Sequence, residues 1–145
     1  SSPDNVARIG HLEKHASLEG FPLLHLDFYK NDPEVPGWPE WIEKHGHDRS
    51  APQRGIRFQR IAPGVEAVVS HAGLMMCGLA LILDRFRTKD VVLPFPVQSG
   101  APTSHAFVAT FRADSLLRPQ VRRFRAWLET EARETEEALE VMTKR

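Results

Sequence analysis

The run from Arg57 to Leu83, RFQRIAPGVEAVVSHAGLMMCGLALIL, limits the possible folds more than any other stretch of the chain. Its hydrophobic period changes twice. Ile56 and Phe58 alternate as in a strand, and Pro63-Gly64 breaks the pattern. Val65, Val68, Val69 and Ala72 then recur at helical spacing, and Leu79 to Leu83 is a nearly unbroken apolar run. Strand, helix and strand in that order belong to a parallel sheet. Pro63 already has the φ of a first helical residue and lacks the amide hydrogen that would be left unpaired there. The helix is therefore expected to open at Pro63, with Gly73 and Gly78 marking its exit. The amides of Gly64, Val65 and Glu66 would then form an anion site at the helix N-terminus.

The flanking sequence supplies the remaining elements. Residues 4–20 place Val6, Ile9 and Leu12 at near-helical spacing behind Asp4 as N-cap, with breaks at Gly10 and Gly20, so one or two short helices are expected. FPLLHLDF, from Phe21 to Phe28, reads as the first strand, with His25 and Asp27 toward its end. Residues 30–40 contain three prolines and a glycine and form a loop. Pro39 then opens a short helix that ends near Gly46 and buries Trp38, Trp41 and Ile42. Residues 45–55 are a polar loop into the strand Gly55 to Arg60. After the central run, Asp84 to Asp90 reads as a charged connection, and VVLPFPV (91–97) as an edge or crossover strand because of its two prolines. Residues 98–104 are a loop, and His105 to Phe111 alternates as a further strand. A helix with Pro119 in its first turn gathers Val121, Phe124, Trp127 and Leu128 on one face, with Arg118, Arg122, Arg123 and Arg125 largely around the other. From Glu129 to Arg145 six glutamates continue the helix, which is expected to fray into solvent. The class is α/β.

With 145 residues, 41% hydrophobic and 26% charged, the chain can build an ordinary soluble core. Its 19 basic and 19 acidic residues cancel, so no global field attracts nucleic acid or an anionic membrane. The single Cys77 excludes an internal disulfide and a multi-cysteine metal site, and its apolar setting reads as a buried, inert thiol in a reducing compartment. No apolar run approaches the roughly 20 residues that span a bilayer, and no signal-peptide pattern is present, so a cytoplasmic location is expected. Among seven histidines, His45-Gly46-His47 with His25 or His105 could be drawn as a metal site, but solvated loop histidines explain the spacing better. His11 and His15 read as a surface pair. Met75-Met76-Cys77 reads as core packing and the arginines at 118–125 as a solvated face. No G-x-S-x-G, G-x-G-x-x-G or P-loop occurs, and Ser70 and His71 are adjacent, so they point to different helix faces. No catalytic residue, cofactor or metal is expected, and the chain does not read as an enzyme.

In order, PLLHLDF, WPEWIEKHG, VEAVVSHAGLMMCGLALIL, VVLPFPV, HAFVATF and RPQVRRFRAWLETEA resemble the C-terminal effector-binding region of LysR-type transcriptional regulators, nearest the subgroup of the glycine-cleavage activator. The likeness runs over about residues 1–132. It departs at Leu83-Asp84, where the family has proline, and at Met75-Met76, which displace a turn glycine. It implies a periplasmic-binding-protein-like fold, a three-layer αβα arrangement on a mostly parallel sheet. Residues 1–104 would be the second lobe and 105–132 the returning crossover strand and helix of the first lobe, followed by a charged tail at 133–145. A winged helix-turn-helix outside these residues would read promoter DNA, and the regulator would be a homo-oligomer. The effector, an organic acid or amino-acid-like metabolite, would sit in the cleft between lobes. Since open α/β lobes bind ligands at the carboxyl ends of strands, the expected contacts are Arg60, Ile61, Ala62, Pro63 and Gly64 after one strand, His25 and Asp27 after another, and His105 near the crossover. Arg60 and the helix amides would hold a carboxylate. A lobe of a solute-binding protein and an enzyme domain of similar architecture are the rival readings.

Overall fold

The computed structural model describes residues 1–10 and 17–144, and its sheet is built around β1, Leu23–Leu26. β2 (Ile56–Phe58) runs parallel along one side, with Leu24 opposite Ile56 and Leu26 opposite Phe58. β3 (Leu74–Met75) runs parallel along the other, with Leu23 opposite Leu74, so the strand order is β2-β1-β3. Successive strand side chains point to opposite faces, and Leu23 and Leu24, both fully buried, therefore seed two separate cores. Leu23 packs with Ile9, Leu18, Phe21, Leu74 and the Trp38, Trp41 and Ile42 side chains. Leu24 packs with Val68 and Val91, and with half-buried Phe58, Met75, Ile82 and Phe86. Helices α1 (Pro3–Gly10) and α2 (Trp38–His45) supply the first core. Helices α3 (Ile61–Val69) and α4 (Leu83–Arg87) supply the second. The result is a mixed α/β fold on a small parallel sheet.

Two glycines let the outer strands approach the central one. A Cβ on Gly55 would lie 1.9 Å from the Leu23 carbonyl oxygen, and one on Gly73 would lie 2.3 Å from that of Pro22. A side chain at either position would hold its strand away from β1.

Several boundaries differ from the sequence reading, each for a local reason. α1 is capped by Ser2, not Asp4: the Asn5 amide donates to Ser2 Oγ at 3.4 Å, and Pro3 occupies the first helical position. The buried Asn5 then donates through Nδ2 to the His71 carbonyl, tying α1 to the end of α3. α3 opens at Ile61, two residues before Pro63. Its exit is set by His71 at φ 61, whose amide donates to Val68 while the Ala72 amide donates to Ala67. α2 and α4 end in the same bond pattern, through Gly46 and through Lys89 at φ 63.

The apolar run at Leu79–Leu83 is not a strand. It forms a 3₁₀ turn (Leu79–Ile82) leading into α4, which takes up much of the expected charged connection. A five-residue apolar run of leucine, alanine and isoleucine carries no periodicity that separates strand from helix. VVLPFPV forms no ladder strand; Val91 is buried, and Val92 exchanges two backbone hydrogen bonds with Ser1. His105 to Phe111 is not a strand either, because its unit offers no second strand among the described residues to pair with. Leu12, His11 and His15 lie outside the described residues.

The chain divides into two compact units, Ser1–Thr103 and Ser104–Arg145. The second is dominated by α5, Pro119–Thr143, which continues through the glutamate-rich stretch as the sequence leads one to expect and stays helical to Thr143. Pairs such as Arg125 with Glu129, four residues apart at 2.8 Å, support that extension.

Candidate functional site

A hollow of about 400 Å³ opens at the carboxyl end of β1. β1 contributes Leu24, His25 and Leu26, the loop that follows contributes Asp27, Lys30 and Asp32, the first turn of α2 contributes Trp38 to Glu40, and β2 contributes Arg57. Parallel strands all deliver their carboxyl ends to the same edge, which is why a central strand with a helix beginning beside it leaves a concavity there. The Trp38 indole is buried and donates through Nε1 to the Leu24 carbonyl at 3.0 Å, so its polar atom is spent on the fold and its ring offers an apolar wall.

Charge of both signs lines this space. Asp27 accepts from Arg57 Nη1 at Oδ1 and from Gln59 Nε2 at Oδ2, both at 3.0 Å, which joins the end of β1 to β2. His25 is buried and its Nε2 lies 3.3 Å from the Arg54 carbonyl. A carbonyl only accepts, so this nitrogen carries the hydrogen. Lys30 is exposed at the rim. Gly37 caps α2 without a side-chain hydrogen bond, and Pro39 lies in the first turn. Glu40 folds back over Gly37, its Oε2 lying 2.9 Å from where a Cβ there would be.

Of the residues singled out from sequence, His25 and Asp27 line the hollow. Arg60 is the exposed N-cap of α3, and Ile61, Ala62 and Pro63 form its first turn, none of them on the wall of this space. Pro63 in that turn removes one of the amides a helix start would offer. Gly64 is buried against the sheet, where a Cβ would meet Met75 Sδ at 2.8 Å and Leu26 Cδ2 at 3.3 Å. Its small size thus serves packing of α3 on β1. His105 is exposed in the second unit, outside regular secondary structure. Lys30, Trp38, Glu40 and Arg57 are not among the ligand contacts expected from the sequence, although Trp38-Pro39-Glu40 carries the same proline signal for a helix start as Pro63.

The other reactive side chains are accounted for by packing. His45 and His47 lie against the Trp41 ring, with centroids 4.8 and 5.0 Å away, and His47 also meets Phe95. Among the described residues no group of three His, Cys, Asp or Glu side chains is placed to hold a metal ion. Burial pushes the Cys77 thiol up to about 11, which leaves little thiolate at neutral pH. No helix among the described residues is long and apolar enough to cross a membrane.

Comparison with protein-family models, curated proteins and solved structures finds no match to this chain.

Proposed function

We propose that residues 1–103 form a small-molecule-sensing lobe, and that the chain belongs to the effector-binding region of a LysR-type transcriptional regulator. The observation that carries this reading is the hollow at the carboxyl end of β1, beside the start of α2, with an apolar wall and charges of both signs. That combination suits a compact zwitterion or organic acid: Lys30 and Arg57 attract a carboxylate, Glu40 and Asp32 attract an ammonium, and Trp38 packs the body of the ligand. In the periplasmic-binding-protein-like arrangement implied by the resemblance, a second lobe would close over this edge, and ligand occupancy would bias the lobe geometry that promoter-bound subunits read.

The test is thermal unfolding of the chain against a panel of amino acids and small organic acids. A ligand present at about one hundred times its dissociation constant should raise the midpoint by roughly 10 °C. Lys30→Ala and Arg57→Ala should each reduce that rise, and Arg60→Ala should leave it unchanged. A rise that persists in Lys30→Ala and Arg57→Ala but vanishes in Arg60→Ala would move the site to the start of α3. No rise with any member of the panel would remove the support for a sensing lobe.

A further inference from the structure

Helix α5 carries an apolar stripe that reads the same from either end. Val121, Phe124, Leu128, Thr135, Leu139 and Met142, of which only Thr135 is polar, are separated by 3, 4, 7, 4 and 3 residues, so reversing the helix superposes the stripe on itself. Charge along α5 is segregated too, changing sign between Leu128 and Glu129, three residues before the midpoint of the stripe. Residues 118–128 hold four arginines and no carboxylate, whereas residues 129–144 hold six glutamates against Arg133 and Lys144. Arg118, Arg122 and Arg123 have no ion-pair partner among the described residues, since the pairs within the helix are Arg125 with Glu129 and Lys144 with Glu140. None of the residues of α5 is buried, and Phe124 and Trp127, stacked with centroids 5.7 Å apart, are each 52% exposed.

We propose that α5 is a self-association surface on which two copies of this chain pair antiparallel. The basic first half of each helix lies along the acidic second half of the other. A parallel pair would set arginines against arginines and glutamates against glutamates, and a partner of a single charge would fit only half of the helix. In the antiparallel pair Val121 meets Met142, Phe124 meets Leu139 and Leu128 meets Thr135 of the second copy along a face of about 32 Å. The unpaired arginines and glutamates flank this seam. A two-fold axis through the helix midpoint generates both halves of the contact, as an isologous dimer requires.

The test is analytical ultracentrifugation of the full chain with two charge-reversed variants, helicity being checked by circular dichroism. R122E/R123E leaves both halves of α5 net acidic, and E134K/E137K/E140K makes it largely basic. The wild type should be dimeric at micromolar concentration, and each variant alone should associate at least about tenfold more weakly. An equimolar mixture should recover a mixed dimer, which no folding defect would produce. Orientation is read in a Cys77→Ala background: Gln120→Cys in one population and Thr143→Cys in another should give a disulfide between positions 120 and 143. A monomeric wild type, variants that associate as tightly as wild type, a mixture that fails to pair, or a disulfide joining two copies of position 120 would each overturn the proposal.

Discussion

Gly55→Ala is expected to be among the most disruptive single-methyl additions in residues 1–103. The added carbon would lie 1.9 Å from the Leu23 carbonyl oxygen and 2.9 Å from His25 Cδ2. Neither neighbour has room to retreat, because Leu23 is fully buried at the centre of the sheet and its carbonyl is backbone. The start of β2 must therefore move outward by more than 1 Å, and the pairing of Leu24 with Ile56 and of His25 with Arg57 weakens with it. The backbone at φ +158 adds strain for any L residue. Overpacking of 1–3 kcal/mol together with backbone strain of similar size gives a loss of about 3–5 kcal/mol, a large part of the 5–15 kcal/mol that typically holds a domain folded. Gly20→Ala is the control: its φ is +81, but the new carbon would meet nothing within 4 Å, so it should cost about 1–2 kcal/mol. Urea unfolding followed by far-ultraviolet circular dichroism measures both. Equal losses in the two variants would refute the close approach of β2 to β1 on which the sheet rests.

Two further outcomes follow from local geometry. His71→Gly should stabilise the protein by about 1 kcal/mol, since it relieves a left-handed residue at φ 61 and keeps the backbone carbonyl that Asn5 binds; a loss of stability would mean that the side-chain contact of His71 with Asp4 outweighs the strain. Cys77 should make the protein sensitive to alkali. Its folded pKa of about 11 exceeds the reference value of 9.0, so between those values the unfolded chain loses a proton that the native state keeps, and stability falls as pH rises through the window. The loss is at most about 2–3 kcal/mol, and Cys77→Ala should lack it when midpoints are compared across that range.

The sequence carried the α/β class, the placement of α2 with its buried Trp38, Trp41 and Ile42, and the positions of β1 and β2 to within a few residues. These features rest on period and on proline, which act locally. What it did not reveal depends on partners distant in the chain. Leu79–Leu83 became a 3₁₀ turn and a helix because the place beside β1 is taken by Leu74–Met75, which Gly73 brings against Pro22. His105–Phe111 alternates as a strand should, but pairing requires a neighbour that its unit does not provide among the described residues. Helix exits at His71 and Lys89 were invisible because both use the left-handed conformation without glycine. For the candidate site, His25 and Asp27 were legible from their place at the end of an apolar run. The contribution of α2 is missed because Pro39, Pro63 and Pro119 all signal helix starts and nothing in the sequence marks which of them opens beside the carboxyl end of β1.

Where a ligand perturbs the protein tests the hollow at the end of β1 most directly. Backbone amide chemical shifts of the chain, recorded during titration with the amino acid or organic acid that stabilises it most, should change at Leu24–Lys30, at Gly37–Glu40 and around Arg57. Changes centred instead on Arg60–Gly64, or scattered with no link to the carboxyl end of β1, would contradict it.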